Sequence, residues 1–304
     1  MIKISILGAE TKDGGELIRL LTLHPEIEIK AAIAPEYAGV KLNEHHHGLI
    51  GETELNFVKN SDFTDVDILF VCDRKLTREE VDKLHEINPD LKIILFKGIK
   101  GDSEEEPMCV YGLPEINRKA LVRGAETACV PNSFASMSLV ALYPFALHLL
   151  LNSDLAITVK APRDVVDETD TVEAIGEIRR VLEHVQKSFA GRISIETEIG
   201  ESRRSALMQI EFDCMLSLQQ MIELYSIYDD HNFTFVTTSP ITVKDVSGTD
   251  KCIISVGKPE DGKALLTVAA DCRMRGGAGE AVHIMNLMSG LHEKTGLSLK
   301  AGNY

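Results

Sequence analysis

The chain has 304 residues, enough for two domains with a buried core, and 44% are apolar and 26% charged, the balance of an ordinary soluble globular protein. A net charge of −15 repels phosphate backbones and anionic lipid, so nucleic acid and membrane surfaces are excluded as expected partners. The most apolar stretch, Met137–Leu151, is shorter than the roughly 20 residues a membrane span needs, and MIKISILG has no secretory h-region, so the expected location is the cytoplasm.

In chain order, Ile2–Leu7 is a short β-branched run ended by Gly8, which predicts a strand. Leu17, Ile18, Leu20, Leu21 and Leu23 form a helical stripe over Gly15–His24 that Pro25 stops. Ile27–Ala34 and Asp67–Cys72 read as strands. Thr77–Ile87 reads as a helix with Thr77 as N-cap and Glu80 in the capping-box place. Leu91–Phe96 and Thr127–Val130 are two more strands, and such alternation predicts a parallel sheet covered by helices. After Pro131 the pattern changes. A long helix over Ser133–Asn152 is followed by a strand at Leu155–Val159, a charged helix at Val172–Phe189, strands at Ile193–Glu198 and Ala206–Phe212, and a helix at Leu216–Tyr228. Strands near Phe233–Val236, Cys252–Val256 and Ala264–Ala270 complete a mixed sheet, and Gly279–Leu291 is a last helix entered through Arg275-Gly276-Gly277-Ala278-Gly279.

A strand, a glycine turn and a helix at the N-terminus is where a dinucleotide pyrophosphate would sit, because it needs close backbone N–H groups and a helix N-terminus. Here the turn reads Gly8-Ala9-Glu10-Thr11-Lys12-Asp13-Gly14-Gly15. Gly8 and Gly14 are suitably placed, Thr11 stands where the middle glycine belongs, and Glu10 and Asp13 oppose a phosphate. Glu36, after the second strand, either holds the ribose hydroxyls of NAD or is a solvated loop residue. The six cysteines make no C-x-x-C pair, and most read as buried thiols in reducing surroundings. Cys129, four residues before Ser133, reads as a core thiol. His45-His46-His47 reads as an exposed loop, since consecutive histidines cannot all point one way, and no metal is expected.

Four stretches carry a resemblance to N-acetyl-γ-glutamyl-phosphate reductase. They are ISILGAETKDGGELIRLLTLHPEIEI (4–29), YGLPEINRKA (111–120), VPNSFAS (130–136) and GGAGEAVHIMNLMSGLHEKTGL (276–297). The resemblance runs in order over nearly the whole chain. It implies an α/β protein with a Rossmann-like parallel-sheet dinucleotide domain, residues 1–131 with 279–304, and an α+β mixed-sheet dimerisation and substrate domain, residues 132–278. It implies reduction of an acyl phosphate to a semialdehyde with NADPH, through a cysteine thioester and a proton-handling histidine.

Carried over position by position, the nucleophile falls on Ser133, which also reads as an N-cap after Pro131-Asn132. The histidine falls on Ala174, which does no acid–base work. The family's glycine-rich loop is absent after Val159, and Phe96-Lys97-Gly98-Ile99-Lys100 replaces a Ser-Asp-Phe-Arg-like segment. Arg204 falls near the family's substrate-region arginine, where a guanidinium suits a carboxylate or phosphate; it reads equally as a solvated strand-edge residue. The expectation is a catalytically degenerate homologue. It would bind NADP or NAD through Gly8, Thr11, Gly14, Gly15 and Glu36, or a small-molecule anion, and would assemble as a homo-oligomer through its second domain. Two alternatives stay open, a working NAD(P)-dependent reductase of an acyl phosphate and a small-molecule sensor or partner subunit.

Overall fold

The computed structural model describes residues 1–100, 108–258, 260 and 262–302; residues 303 and 304, which the expected first domain includes, lie outside them. The chain divides into two compact units, Met1–Pro131 with Gly277–Ser298, and Asn132–Gly276 with the residues from Leu299 on.

The first unit runs β1 (Ile2–Leu7), α1 (Lys12–Leu21), β2 (Ile27–Ile33), α2 (Leu42–His45), β3 (Phe57–Val58), β4 (Ile68–Val71), α3 (Arg78–Ile87), β5 (Lys92–Leu95), β6 (Val110–Tyr111), α4 (Pro114–Val122) and β7 (Thr127–Cys129). The strands form one wholly parallel sheet in the order β3-β2-β1-β4-β5-β7-β6. β4 is buried at every residue, as a parallel strand covered on both faces must be. The predicted capping box of α3 is present, with Thr77 Oγ1 accepting from Glu80 N–H and the Glu80 carboxylate accepting from Thr77 N–H. α1 begins at Lys12, three residues before the predicted start, because Thr11 caps it.

The second unit runs α5 (Ser133–Leu147), β8 (Leu155–Ala161), α6 (Glu168–Val185), β9 (Ile193–Ile199), β10 (Ser205–Asp213), α7 (Leu218–Leu224), β11 (Thr234–Thr237), β12 (Cys252–Gly257) and β13 (Lys263–Asp271). Its sheet is mixed, in the order β11-β12-β13-β10-β8-β9, with β10 and β13 antiparallel at its centre. β10 shows the alternation of a sheet with one covered face: Ala206, Met208, Ile210 and Phe212 are buried, while Gln209 and Glu211 are exposed. The α/β architecture expected from the sequence is therefore present, parallel sheet and mixed sheet alike.

α5 is apolar on all sides and correspondingly buried. Pro144 lies inside it and cannot donate to the carbonyl of Val140, one turn back. The Tyr228 hydroxyl donates to that carbonyl at 2.9 Å, and the Tyr225 hydroxyl donates to Ala141 at 2.7 Å. The helix stops at Leu147, not Asn152, where Leu149 takes a left-handed φ of 59°. The last helix, α8 (Ala278–Met288), belongs to the first unit and packs on α1 and α4. Its buried Asn286 accepts from His24 Nε2 at 3.0 Å and donates to the carbonyls of Glu293 and Thr295.

Candidate functional sites

In the first unit the turn between β1 and α1 is short. Gly8 has φ +76°, and its N–H and that of Ala9 both donate to the Ile33 carbonyl. The Thr11 hydroxyl donates to the Gly8 carbonyl at 2.8 Å and accepts the Gly14 N–H at 3.0 Å. Thr11 is thus the N-cap of α1, and one of the helix's otherwise unfilled N–H groups is already satisfied by it. Each glycine is required by protein packed against it. A Cβ at Gly8 would lie 2.5 Å from the Asp73 side chain, at Gly14 2.6 Å from the Gly8 carbonyl oxygen, and at Gly15 2.5 Å from the His46 ring.

The neighbourhood is acidic. Burial holds the Cys72 thiol, just after β4, well above its ordinary range, and the charges of Asp13, Asp73 and Glu10 push it further, against Lys97 alone. The histidine run is not the exposed loop the sequence predicted. His47 is exposed, but His45 and His46 are half-buried in a cluster with Tyr37 and Phe57. His45 Nε2 lies 3.0 Å from the Glu10 carbonyl and His46 Nε2 2.8 Å from the Ala9 carbonyl. A carbonyl only accepts, so both rings carry their proton on Nε2 and cover the turn. Glu36 is exposed in the Pro35–Tyr37 turn after β2.

In the second unit the predicted cap moves by one residue. Asn132, not Ser133, caps α5: its side-chain oxygen accepts the N–H groups of Phe134 and Ala135. Asn and Ser are equally good caps, and Asn132 holds the extended backbone that the cap position requires. Ser133 is then the first helical residue, and its side chain lies beside the Cys272 thiol. Burial first, and then Asp271, push that thiol up to about 12. Gly276, at φ +68°, lies against the Ser133 backbone, where a Cβ would come within 2.3 Å of its Cα.

α6 faces this helix start. The Asp170 backbone carbonyl accepts from the Asn132 side chain at 3.2 Å, and the Glu177 carboxylate accepts the Asn132 N–H at 3.1 Å. Ala174 lies between them on the same helical face, fully buried. Arg204 is not a solvated strand-edge residue. Its Nε donates to the fully buried Asp271 at 2.8 Å, and Asp271 also accepts the N–H groups of Gly248 and Arg273. Since Cys272 N–H bonds the Arg204 carbonyl, the structure brings Ser133 and Arg204 together around Cys272.

Sequence reasoning missed Cys272, Asp271 and the pressure of Gly276 on Ser133. The one available signal was the unbroken Gly276-Gly277 pair. The sequence also misread Cys129, which is disulfide-bonded to Cys109 and not a free core thiol; the other four cysteines are free and buried as expected. Parallel pairing of β6 with β7 creates that proximity, and it is invisible before the sheet is assembled. Among the described residues no group of three or more His, Cys, Asp or Glu is placed to hold a metal ion, and no helix is long and apolar enough to cross a membrane.

Residues 3–123 match the family described as semialdehyde dehydrogenase, NAD binding domain. The chain is 34% identical to the N-acetyl-gamma-glutamyl-phosphate reductase of Parabacteroides distasonis and 33% identical to that of Phocaeicola vulgatus, in each case over 99% of this chain and 99% of the relative. Among solved structures it is similar to aspartate semialdehyde dehydrogenase II from Vibrio cholerae, with a TM-score of 0.69 at 14% identity over 95% of this chain and 98% of that one. It is also similar to aspartate semialdehyde dehydrogenase with NADP from Candida albicans, with a TM-score of 0.65 at 15% identity and the same coverage. At such identities the structural likeness speaks for the fold.

Proposed function

The chain belongs to the N-acetyl-γ-glutamyl-phosphate reductase family, and on that footing we propose that it keeps the family scaffold as a ligand-binding homologue without the acyl-phosphate chemistry. The setting of Ser133 carries this reading. A serine hydroxyl attacks an acyl phosphate only when a base takes its proton. The side chain beside this hydroxyl is a thiol pushed up to about 12, which at neutral pH is neither a base nor a thiolate nucleophile. On the facing side of α6 the family's histidine position is Ala174, and loss of a general acid–base group is worth about 10²–10⁴ in rate.

The matched family is described as an NAD binding domain, which supports a nucleotide here. The residues of the turn do not fit one. Thr11 fills the place of the middle glycine and uses the Gly14 N–H, His45 and His46 cover the carbonyl side, and Glu10, Asp13 and Asp73 make the potential negative. No step is therefore routed through NADP or NAD. The ligand we favour is a small carboxylate or phosphate at Arg204, whose guanidinium Asp271 holds in a fixed orientation with a third of the side chain open to solvent. Homo-oligomerisation through the open face of the mixed sheet, where Phe235 stands 43% exposed, is part of the same reading.

Calorimetry with NADP, NAD, inorganic phosphate and N-acetylglutamate tests it. The expected result is no measurable heat for either nucleotide at millimolar concentration and saturable binding of one anion that Arg204→Ala removes. Micromolar NADP binding would reject the reading of the turn. In reductant, Ser133→Cys with Ala174→His is expected to stay inactive, since the nucleotide seat is missing as well.

A further inference from the structure

We infer that Cys109 and Cys129 form a redox modification site, a reversible disulfide that fastens the edge of the parallel sheet. β6 is that edge and is two residues long, paired with β7 through Val110 and Tyr111. So short a strand has few ladder bonds of its own: Gly112 N–H donates to the Cys129 carbonyl at 2.8 Å, and the Asn117 side chain donates to the Tyr111 carbonyl at 2.9 Å. The disulfide adds a covalent tie across the same two strands. The tie closes a stretch that contains α4, whose start rests on α8 where Gly112 meets Ile284. Both sulfurs also wall the apolar cluster beneath α3, built from Leu69, Val71, Val81, Leu91, Ile93 and Leu95.

The two cysteines differ in exposure. Cys129 is 8% exposed, whereas Cys109 is half-buried, so an incoming thiolate reaches Cys109 first. Its attack forms a mixed disulfide at Cys109 and breaks the Cys109–Cys129 bond, and Cys129 leaves as a thiolate that takes a proton. A second thiol then attacks the mixed disulfide and frees Cys109. The balance is one protein disulfide and two low-molecular-weight thiols giving two protein thiols and one small disulfide, and the reverse reaction uses that small disulfide as oxidant. Cys72, Cys214, Cys252 and Cys272 are buried and take no part.

The test is thiol counting coupled to hydrogen exchange on the whole chain. Protein incubated with oxidised glutathione and denatured in N-ethylmaleimide is expected to label at four cysteines. After equilibration with excess reduced glutathione it labels at six. In the reduced protein the amides of Val110–Asn117 are expected to exchange about tenfold faster or more, while those of β4 do not change. Cys109→Ser, at the half-buried position, should show the fast rate with or without reductant. Six labels after oxidised glutathione, four labels that persist in reduced glutathione, or an unchanged exchange rate on reduction would each overturn the proposal.

Discussion

Ser133, Asn132 and Cys272 set the chemistry of the second unit at the scale of single residues. With Asn132 as the cap, Asn132→Ala removes an acceptor from two helix N–H groups and is expected to lower stability by about 1 kcal/mol. Ser133→Ala leaves those bonds in place and should cost less; urea midpoints of the two variants check the order, and a larger loss at Ser133 would return the cap to it. In the first unit His24 and His46 are held below their ordinary range, in both cases chiefly by burial. They take up a proton less readily in the folded chain than in the unfolded chain, where they protonate near pH 6.5. Unfolding therefore takes up protons below about pH 6.5, and stability falls as the pH drops through that region. His46→Gln keeps an N–H donor for the Ala9 carbonyl and is expected to flatten the decline in melting temperature between pH 7 and 5. An unchanged slope would remove His46 from the account. These roles were only partly legible. Thr11 and Glu10 stood out as misfits in a phosphate turn, but His45 on the Glu10 carbonyl and His46 on the Ala9 carbonyl come from more than 30 positions away, and nothing local links them.

At the scale of elements, composition was most informative where local chemistry decides the structure. The α3 capping box is a spacing of three residues and reads directly from Thr77 and Glu80. α4 was not assigned from its residues because the segment carries no strong apolar period. It starts on Pro114 and is kinked at Asn117, whose side chain turns back to the Tyr111 carbonyl. α5 was placed correctly at its start and made five residues too long, since its apolar run continues past the point where Leu149 turns the chain. Pro144 survives inside α5 because Tyr228 supplies the missing donor to Val140. Tyr228→Phe leaves that buried carbonyl unmet and is expected to cost about 1–3 kcal/mol by chemical denaturation. A loss below about 0.5 kcal/mol, the level of an ordinary surface change, would show that the carbonyl finds another donor. The same step at Tyr225 should cost less, because the Ala141 carbonyl one residue on faces Phe145, which can donate.

At the scale of the whole molecule, the alternation of strands and helices up to Cys129 and the strand-rich remainder gave the two architectures before any contact was known, because hydrophobic period and chain order suffice for that. They do not suffice for function. Relatives near one-third identity over their full length name a reductase, yet the positions that the family resemblance assigns to the reaction hold a serine beside a protonated thiol, an alanine, and a turn closed by threonine and histidine. The central claim is that this scaffold has given up the acyl-phosphate reaction. It is tested most directly by incubating the purified wild-type chain, in reductant, with NADP, inorganic phosphate and N-acetylglutamate semialdehyde, and following NADPH at 340 nm, with a working family member as the positive control. The account predicts no turnover above the uncatalysed background and none dependent on Ser133. Turnover on the order of 1 s⁻¹ or faster, the range of ordinary enzymes, that Ser133→Ala abolishes would contradict it.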